Sequence, residues 1–446
     1  MSSRYRDHGR TSFTPLLTPS LWGMPTAMVA VLALLLPLIY MGGILDPRGQ
    51  MRDLPVGLVT EDRAVPGSPE PFGDAVAASV RAADPDRHID WKSLDMAEAR
   101  QQLASDRLFG VLVIPADFTA RVRALTGPGP AQARPRIDVL TNPAAGSLGS
   151  SLAGAAMQQA AHAASAKLGT TLSASASGAA SPAGDGAAAA APASAAADGA
   201  AASPVRLLLA DPVEVTVSVG HPIGARTGMG LSAFYYALLL VLLGFLAAGI
   251  VSGGTDIALG YAPSEVGPLR SYRPPVTISR RTAFLLNSAL TASLSFVTSS
   301  LLMAVTVGFL DMDAAHLPQL WVFSVAATAA VGVGAQALTS ALGALAQPVG
   351  MLFFIALALP SSGGTIPVQA VPHAYRFLAE FEPMRQVMDG VRAILFFDAR
   401  ADAGLLRAWT MTGAALVGAV VAGLAVTSFY DRRGLQRVPR DLPAAS

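Results

Sequence analysis

Five strongly apolar stretches of this chain run for 23 residues or more without a single Asp, Glu, Lys or Arg: 11–45, 227–255, 282–310, 314–375 and 408–430. A charge at the centre of a bilayer costs roughly 2.5–3.5 kcal/mol on insertion scales, so uninterrupted apolar runs of this length mark membrane spans. A helix needs about 20 residues to cross the hydrocarbon, and the 62 residues of 314–375 therefore hold two spans and a short connection. Six transmembrane helices are predicted, over 21–45, 229–252, 283–310, 319–342, 345–360 and 408–430. The first has an apolar run longer than a signal-peptide core and no A-x-A site behind it, which favours an uncleaved anchor over a leader.

Composition supports this class. Charged residues make up only 14% of the 446, where soluble chains carry about 25%. A net charge of +1 offers no basic stripe for nucleic acid, and the absence of cysteine removes disulfides, thiol catalysis and thiolate metal sites.

Arginine placement sets the orientation. The tail 1–20 carries Arg4, Arg6 and Arg10 against Asp7. The loop 253–281 carries Arg270, Arg273, Arg280 and Arg281 against Asp256 and Glu265. The tail 431–446 carries Arg432, Arg433, Arg437 and Arg440 against Asp431 and Asp441. Each nets +2, which predicts a plasma (inner) membrane protein with both termini cytoplasmic.

Residues 46–226 then form an extracytoplasmic domain inserted between helices 1 and 2. Strands are expected at 54–60, 88–94, 109–114 and 136–140, and helices at 72–82, 95–106 and 116–125, giving a small α/β unit with a partly parallel sheet. From 163 to 203 the chain is Ala, Ser, Gly and Pro with almost nothing to bury, and a disordered insert is expected there. Strand-like sequence returns over 205–219.

Two segments stand out. In the cytoplasmic loop, Thr255 and Asp256 are expected to cap a short helix, DIALGY, stopped by Pro263. A helix of this kind, with Tyr261 and Glu265 beside it, is what a soluble partner would grip. Before the last span, over 361–406, Ser361, Ser362, Gly363 and Gly364 break the chain and Pro367 and Pro372 keep it irregular. Glu382 and Pro383 then open an amphipathic helix. Arg385, Asp389 and Arg392 share one face of it, as a solvated charge ladder or as the lining of an interfacial, re-entrant exit from the membrane.

Several chemistries are excluded. The two lysines, Lys92 and Lys167, lie in no Gly-rich phosphate loop, so the chain does not hydrolyse ATP by that route. Six scattered histidines and the lack of a G-x-S-x-G elbow give no sign of an enzyme, a metal site or a cofactor. The span centres carry no ionisable group, which disfavours a proton- or sodium-coupled carrier, although Asn287 and Gln336 could still coordinate a polar cargo. Small residues over 326–346 permit close helix approach, within one protomer or between two.

The six spans and the segment LPSSGGTIPVQAVP…FEPMRQVMDGVRA resemble ABC-2-type membrane permeases. Within them the chain is most similar to the branch of phage infection protein-like and yeast nitrosoguanidine-resistance protein-like members. LPVGLVTED, FGVLVIPADF, TNPAAG, FYYALLLVLLGF and LGYAPSEVGP add to the resemblance by their order. It implies a permease half that works as a homodimer or heterodimer among membrane lipid, with a separate nucleotide-binding ATPase on the loop 253–281. Such a permease would export an amphiphilic small molecule, lipid or drug. The competing expectation is a membrane-anchored scaffold or receptor whose outer domain binds a partner while nothing crosses.

Overall fold

A computed structural model describes residues 46–65, 71–84, 87–126, 134–178 and 211–435. The expected first span, 21–45, lies outside them.

The sheet unit follows from period-two patterning. Strand β1 (Leu54–Thr60) sends Leu54, Val56 and Leu58 to one face and Val59 to the other, all buried. Helix α1 (Phe72–Ala82), strand β2 (Ile89–Ser93) and helix α2 (Met96–Leu103) follow, α2 capped by the Asp95 side chain, which accepts from the Glu98 amide at 2.7 Å. Strand β3 (Gly110–Ile114), helix α3 (Phe118–Thr126) and strand β4 (Arg136–Thr141) come next. The strand order is β2-β1-β3-β4-β5, with β5 at Glu214–Val219; only the β3–β4 pair is antiparallel. Val76 and Val80 of α1 and Phe118 and Val122 of α3 cover the face that carries Leu54, Leu112 and Ile137. Ala99 and Leu103 of α2 cover the face that carries Val59, Val111 and Val113.

Helix α4 (Ser147–Gly178) corrects the expectation of disorder from 163. It is 32 residues long, and Ala153, Met157, Ala160, Ala161, Ala164, Leu168 and Leu172 bury one stripe of it against the sheet unit. Alanine is the best helix former, and its small side chain lets the helix lie close to its neighbour. The rest of the expected insert, 179–203, lies outside the described residues. Beyond it the chain returns to α4: Ser165 Oγ donates to Asp211 at 2.5 Å and accepts from the Val213 amide at 3.1 Å.

Four helical segments among the described residues are long and apolar enough to cross a membrane: Leu231–Ala258, Arg280–Phe309, Leu317–Ser361 and Leu405–Arg432. The first is α5. After it come the strands β6 (Ser264–Val266) and β7 (Leu269–Ser271) of a hairpin. Helix α6 (Arg280–Met303) ends in a wider, π-helical turn to Phe309.

The third segment is not straight. Helix α7 (Leu317–Leu342) stops at Gly343, whose φ of 59° and ψ of −124° few residues other than glycine adopt. From there α8 (Ala346–Met351), a π-helical turn and a last turn, Ala358–Ser361, run back along α7. Gly350 faces Leu338 and Gly334 faces the Phe354 ring. Two short helices, α9 (His373–Ala379) and α10 (Pro383–Phe396), precede α11 (Leu405–Arg432).

Helix α7 is the hub, packed on α5, α6, α10 and α11. At its crossing with α5 the two glycines Gly244 and Gly332 face each other: a methyl group on Gly244 would stand 2.7 Å from the Thr328 carbonyl oxygen. One end of the helical layer carries the sheet unit, and the other carries the β6–β7 hairpin. These are called the domain end and the hairpin end below.

Candidate functional site

At the domain end, the residues expected to line an exit converge with residues that sequence reading missed. Glu382 caps α10 with both carboxylate oxygens, accepting from the amides of Met384 at 2.8 Å and Arg385 at 2.9 Å. Pro383 occupies the first helical position. Burial pushes the Glu382 carboxyl up to about 7, outweighing those two amide bonds.

One turn after Arg385, Asp389 pairs with it at 3.6 Å, half-buried. Arg392 is not part of a solvated ladder. It is 6% exposed, donates to the Gly363 carbonyl at 3.0 Å and pairs with Asp106 at 3.2 Å. Asp106 belongs to the sheet unit, just after α2, and has a left-handed φ of 56°. Its burial, strengthened by the like charge of Asp389 and opposed by Arg392, raises its carboxyl to about 6. The pair joins the two regions across 286 positions of sequence, a distance no local pattern reveals.

The irregular segment is held in place. Ser361 and Ser362 are buried and donate to the carbonyls of Leu357 and Leu359. Gly363 has φ of 71°, and a side chain on Gly364 would strike Phe234 at 2.2 Å. Pro367 leads into a turn at Val368–Ala370. There the Gln369 carbonyl accepts from the Arg52 amide and from Arg376, which also reaches the Gln50 carbonyl. Pro372 is the residue from which α9 starts. Gly363, Asp106, Arg385, Asp389, Arg392 and Arg407 thus border a charged cavity of about 250 Å³.

Arg407 donates to Gln386 at 3.2 Å and to Glu380 at 2.7 Å. Gln386 in turn lines a second space, an apolar groove of about 660 Å³ between α7, its folded-back arm, α10 and α11. Ala327, Pro383 and Thr412 mark its domain end, Ala341 and Val426 its hairpin end, and Gly334, Gly418 and Phe353 lie along it.

A third cavity, of about 390 Å³ and polar, adjoins the groove at Ala341. Its wall includes Ser252, Asn287, Gln336 and Thr427, with Arg280 and Tyr430 towards the hairpin end. Gln336 donates to Thr291 and to the Ala248 carbonyl, both at 3.0 Å, and accepts from Ser252 at 2.8 Å. Tyr430 donates to the Ala341 carbonyl at 3.1 Å, so its phenol stands where cavity and groove meet. The guanidinium of Arg280 lies over the Tyr430 ring.

The loop expected to grip a partner is built differently from the expectation. No separate DIALGY helix forms. Thr255 and Asp256 belong to the last turns of α5, which runs through Gly253 and Gly254 because the helix continues to bond: the Thr255 carbonyl accepts from the Leu259 amide at 2.8 Å. Glu265 does not start a helical turn either. It lies on β6 and pairs with Arg270 of β7 at 2.9 Å. Tyr261 ties the hairpin back by donating to the Val276 carbonyl at 2.6 Å. The signal overlooked was the Gly267 turn, at φ of 58°, between two extended runs.

No curated protein and no solved structure matches the chain. A family model described as "Protein of unknown function (DUF3533)" matches residues 26–415, and the chain belongs to that family.

Proposed function

We propose that this protein is an ABC-2-type permease subunit of the plasma membrane that exports an amphiphilic small molecule, lipid or drug. In this reading residues 21–45 and the two arms of the Leu317–Ser361 segment complete six spans. The sheet unit is extracytoplasmic, the termini and the β6–β7 hairpin are cytoplasmic, and two copies or two related subunits pair in the bilayer. The chain has no phosphate-binding loop, so ATP is hydrolysed by a separate subunit docked at the hairpin end.

The observation that carries the reading is the pair of adjoining spaces along α7 and α11. A polar cavity at the hairpin end adjoins an apolar groove, and a charged cavity under the sheet unit lies against another face of α10, linked to the groove wall by the Arg407–Gln386 bond. A scaffold that only displays an outer domain has no use for such a track.

Affinity purification in mild detergent, followed by reconstitution, tests this. A stoichiometric ATPase partner, with ATP-dependent movement of a fluorescent amphiphile that Gly418→Trp abolishes, is the expected result. Gly418 lines the groove and a methyl there meets nothing within 4 Å, so a side chain has room at this position. Recovery of an outer-surface partner only, with no movement, would replace the permease by the receptor reading.

A further inference from the structure

Asn287 is 7% exposed, and its side-chain Oδ1 is buried without a hydrogen-bond partner among the described residues. A buried polar atom left unpaired costs about 1–3 kcal/mol, so native structures retain very few. This one belongs to a residue lining the polar cavity at the hairpin end, where the neighbouring Gln336 is fully engaged with Thr291, Ser252 and the Ala248 carbonyl. An acceptor with no partner asks for an incoming N–H or O–H.

The surroundings narrow what brings it. Among the described residues no Asp or Glu lines this cavity, and Arg280 does. That charge favours an anionic head and disfavours a cationic one. The cavity continues at Ala341 into the apolar groove, where no charged side chain lies among the described lining residues. Along α7 the groove extends from Ala341 to Ala327, about 21 Å at 1.5 Å per residue, comparable to an extended long acyl chain. Its volume of about 660 Å³ lies within the range of about 300–1,000 Å³ typical of ligand pockets.

We infer that the cavity and groove together bind a single-chain anionic amphiphile, whose head donates a hydrogen bond to Asn287 Oδ1 beside Arg280 and whose chain lies in the groove. Tyr430 stands at the joint, and its bond to the Ala341 carbonyl opens to let the chain pass. As a statement about cargo this rests on the permease reading; as a statement about binding it does not.

The test is equilibrium binding of radiolabelled palmitoyl-lysophosphatidylglycerol to the full chain in phosphatidylcholine nanodiscs. Saturable binding of one molecule per chain is expected, at least tenfold tighter than palmitoyl-lysophosphatidylcholine. Asn287→Leu keeps the γ-branched shape of the side chain, in a somewhat larger volume, and replaces the whole amide, unpaired acceptor included, so affinity falls about five- to tenfold. Gly418→Trp lowers affinity by tenfold or more, and Arg280→Gln erases the preference for the anionic head. Absence of saturable binding, or binding untouched by Asn287→Leu, overturns the inference. Binding that follows all three variants in a protein that moves no amphiphile retires the permease reading and leaves the ligand site standing.

Discussion

In the sheet unit, β1 and β3 bury apolar side chains on both faces, Leu54, Val56, Leu112 and Ile114 on one and Val59, Val111 and Val113 on the other. In α6 the arrangement is inverted. Its buried line is Asn287, Ser288, Thr291, Ser295 and Ser299, packed towards α7, while Leu286, Leu290, Leu294 and Val297 face outward. The two regions are built for different solvents. Water drives apolar side chains together in the first. In a bilayer, an outward Leu loses nothing, and helices associate through small side chains and interhelical hydrogen bonds instead. Ser299 to Thr328, Tyr236 to Ser324 and Gln336 to Thr291 are bonds of that kind.

The junction between the regions gives the sharpest way to break this contrast. Arg392→Met leaves Asp106 buried without its partner, and a cost of about 3–5 kcal/mol is expected. Thermal unfolding in detergent should show the loss in full above pH 7 and a smaller one below about pH 6, where Asp106 carries a proton. Adding Asp106→Leu to Arg392→Met should recover most of the stability.

A matched pair of leucine truncations compares the solvents directly. Leu112→Ala, in the sheet core, should cost about 2–5 kcal/mol. Leu290→Ala, on the outward face of α6, should cost less than about 1 kcal/mol. Equal costs would show that α6 does not face lipid.

The next effect is smaller and depends on pH. The folded Glu382 carboxyl is raised to about 7 from 4.5, so holding it charged in the fold costs stability above that pH. The cost is relieved as pH falls from 7 towards 4.5. The melting temperature of the wild type relative to Glu382→Gln should therefore rise between pH 8 and pH 5.5; a constant difference would show that the carboxyl titrates normally. The smallest effect is expected at the joint, where Tyr430→Phe drops one hydrogen bond and should speed amphiphile binding a few-fold by stopped-flow measurement.

How much could be read in advance divides along the same line. The strands expected at 54–60 and 109–114 were legible because they are short apolar runs of the buried type, the second ended by Pro115, and the helix from Pro383 because Glu382 and Pro383 are a strong start signal. Helix α4 was illegible by composition alone. Its stripe of Ala153, Met157, Ala161, Ala164 and Leu168 has helical spacing, but alanine marks neither face as buried. The expected short helix after Thr255 does not form because Gly253 and Gly254 do not interrupt the backbone bonding of α5, which continues to Ala258. Of the candidate site, the α10 residues were visible, whereas Asp106 and the groove depend on how distant segments fold together.

The tie at Ser165 has a practical consequence. Asp211 and Val213 dock on α4 at Ser165, while α4 itself ends 13 residues later at Gly178, about 20 Å along the helix axis. The 32 residues between 178 and 211 have to cover only that span, whatever their number. β5 pairs with β4 from Glu214 opposite Arg136 to Val219 opposite Thr141. The interval is thus a natural splice point: a fluorescent protein or an epitope inserted there would report which side of the membrane the sheet unit occupies, without altering the strands that define it.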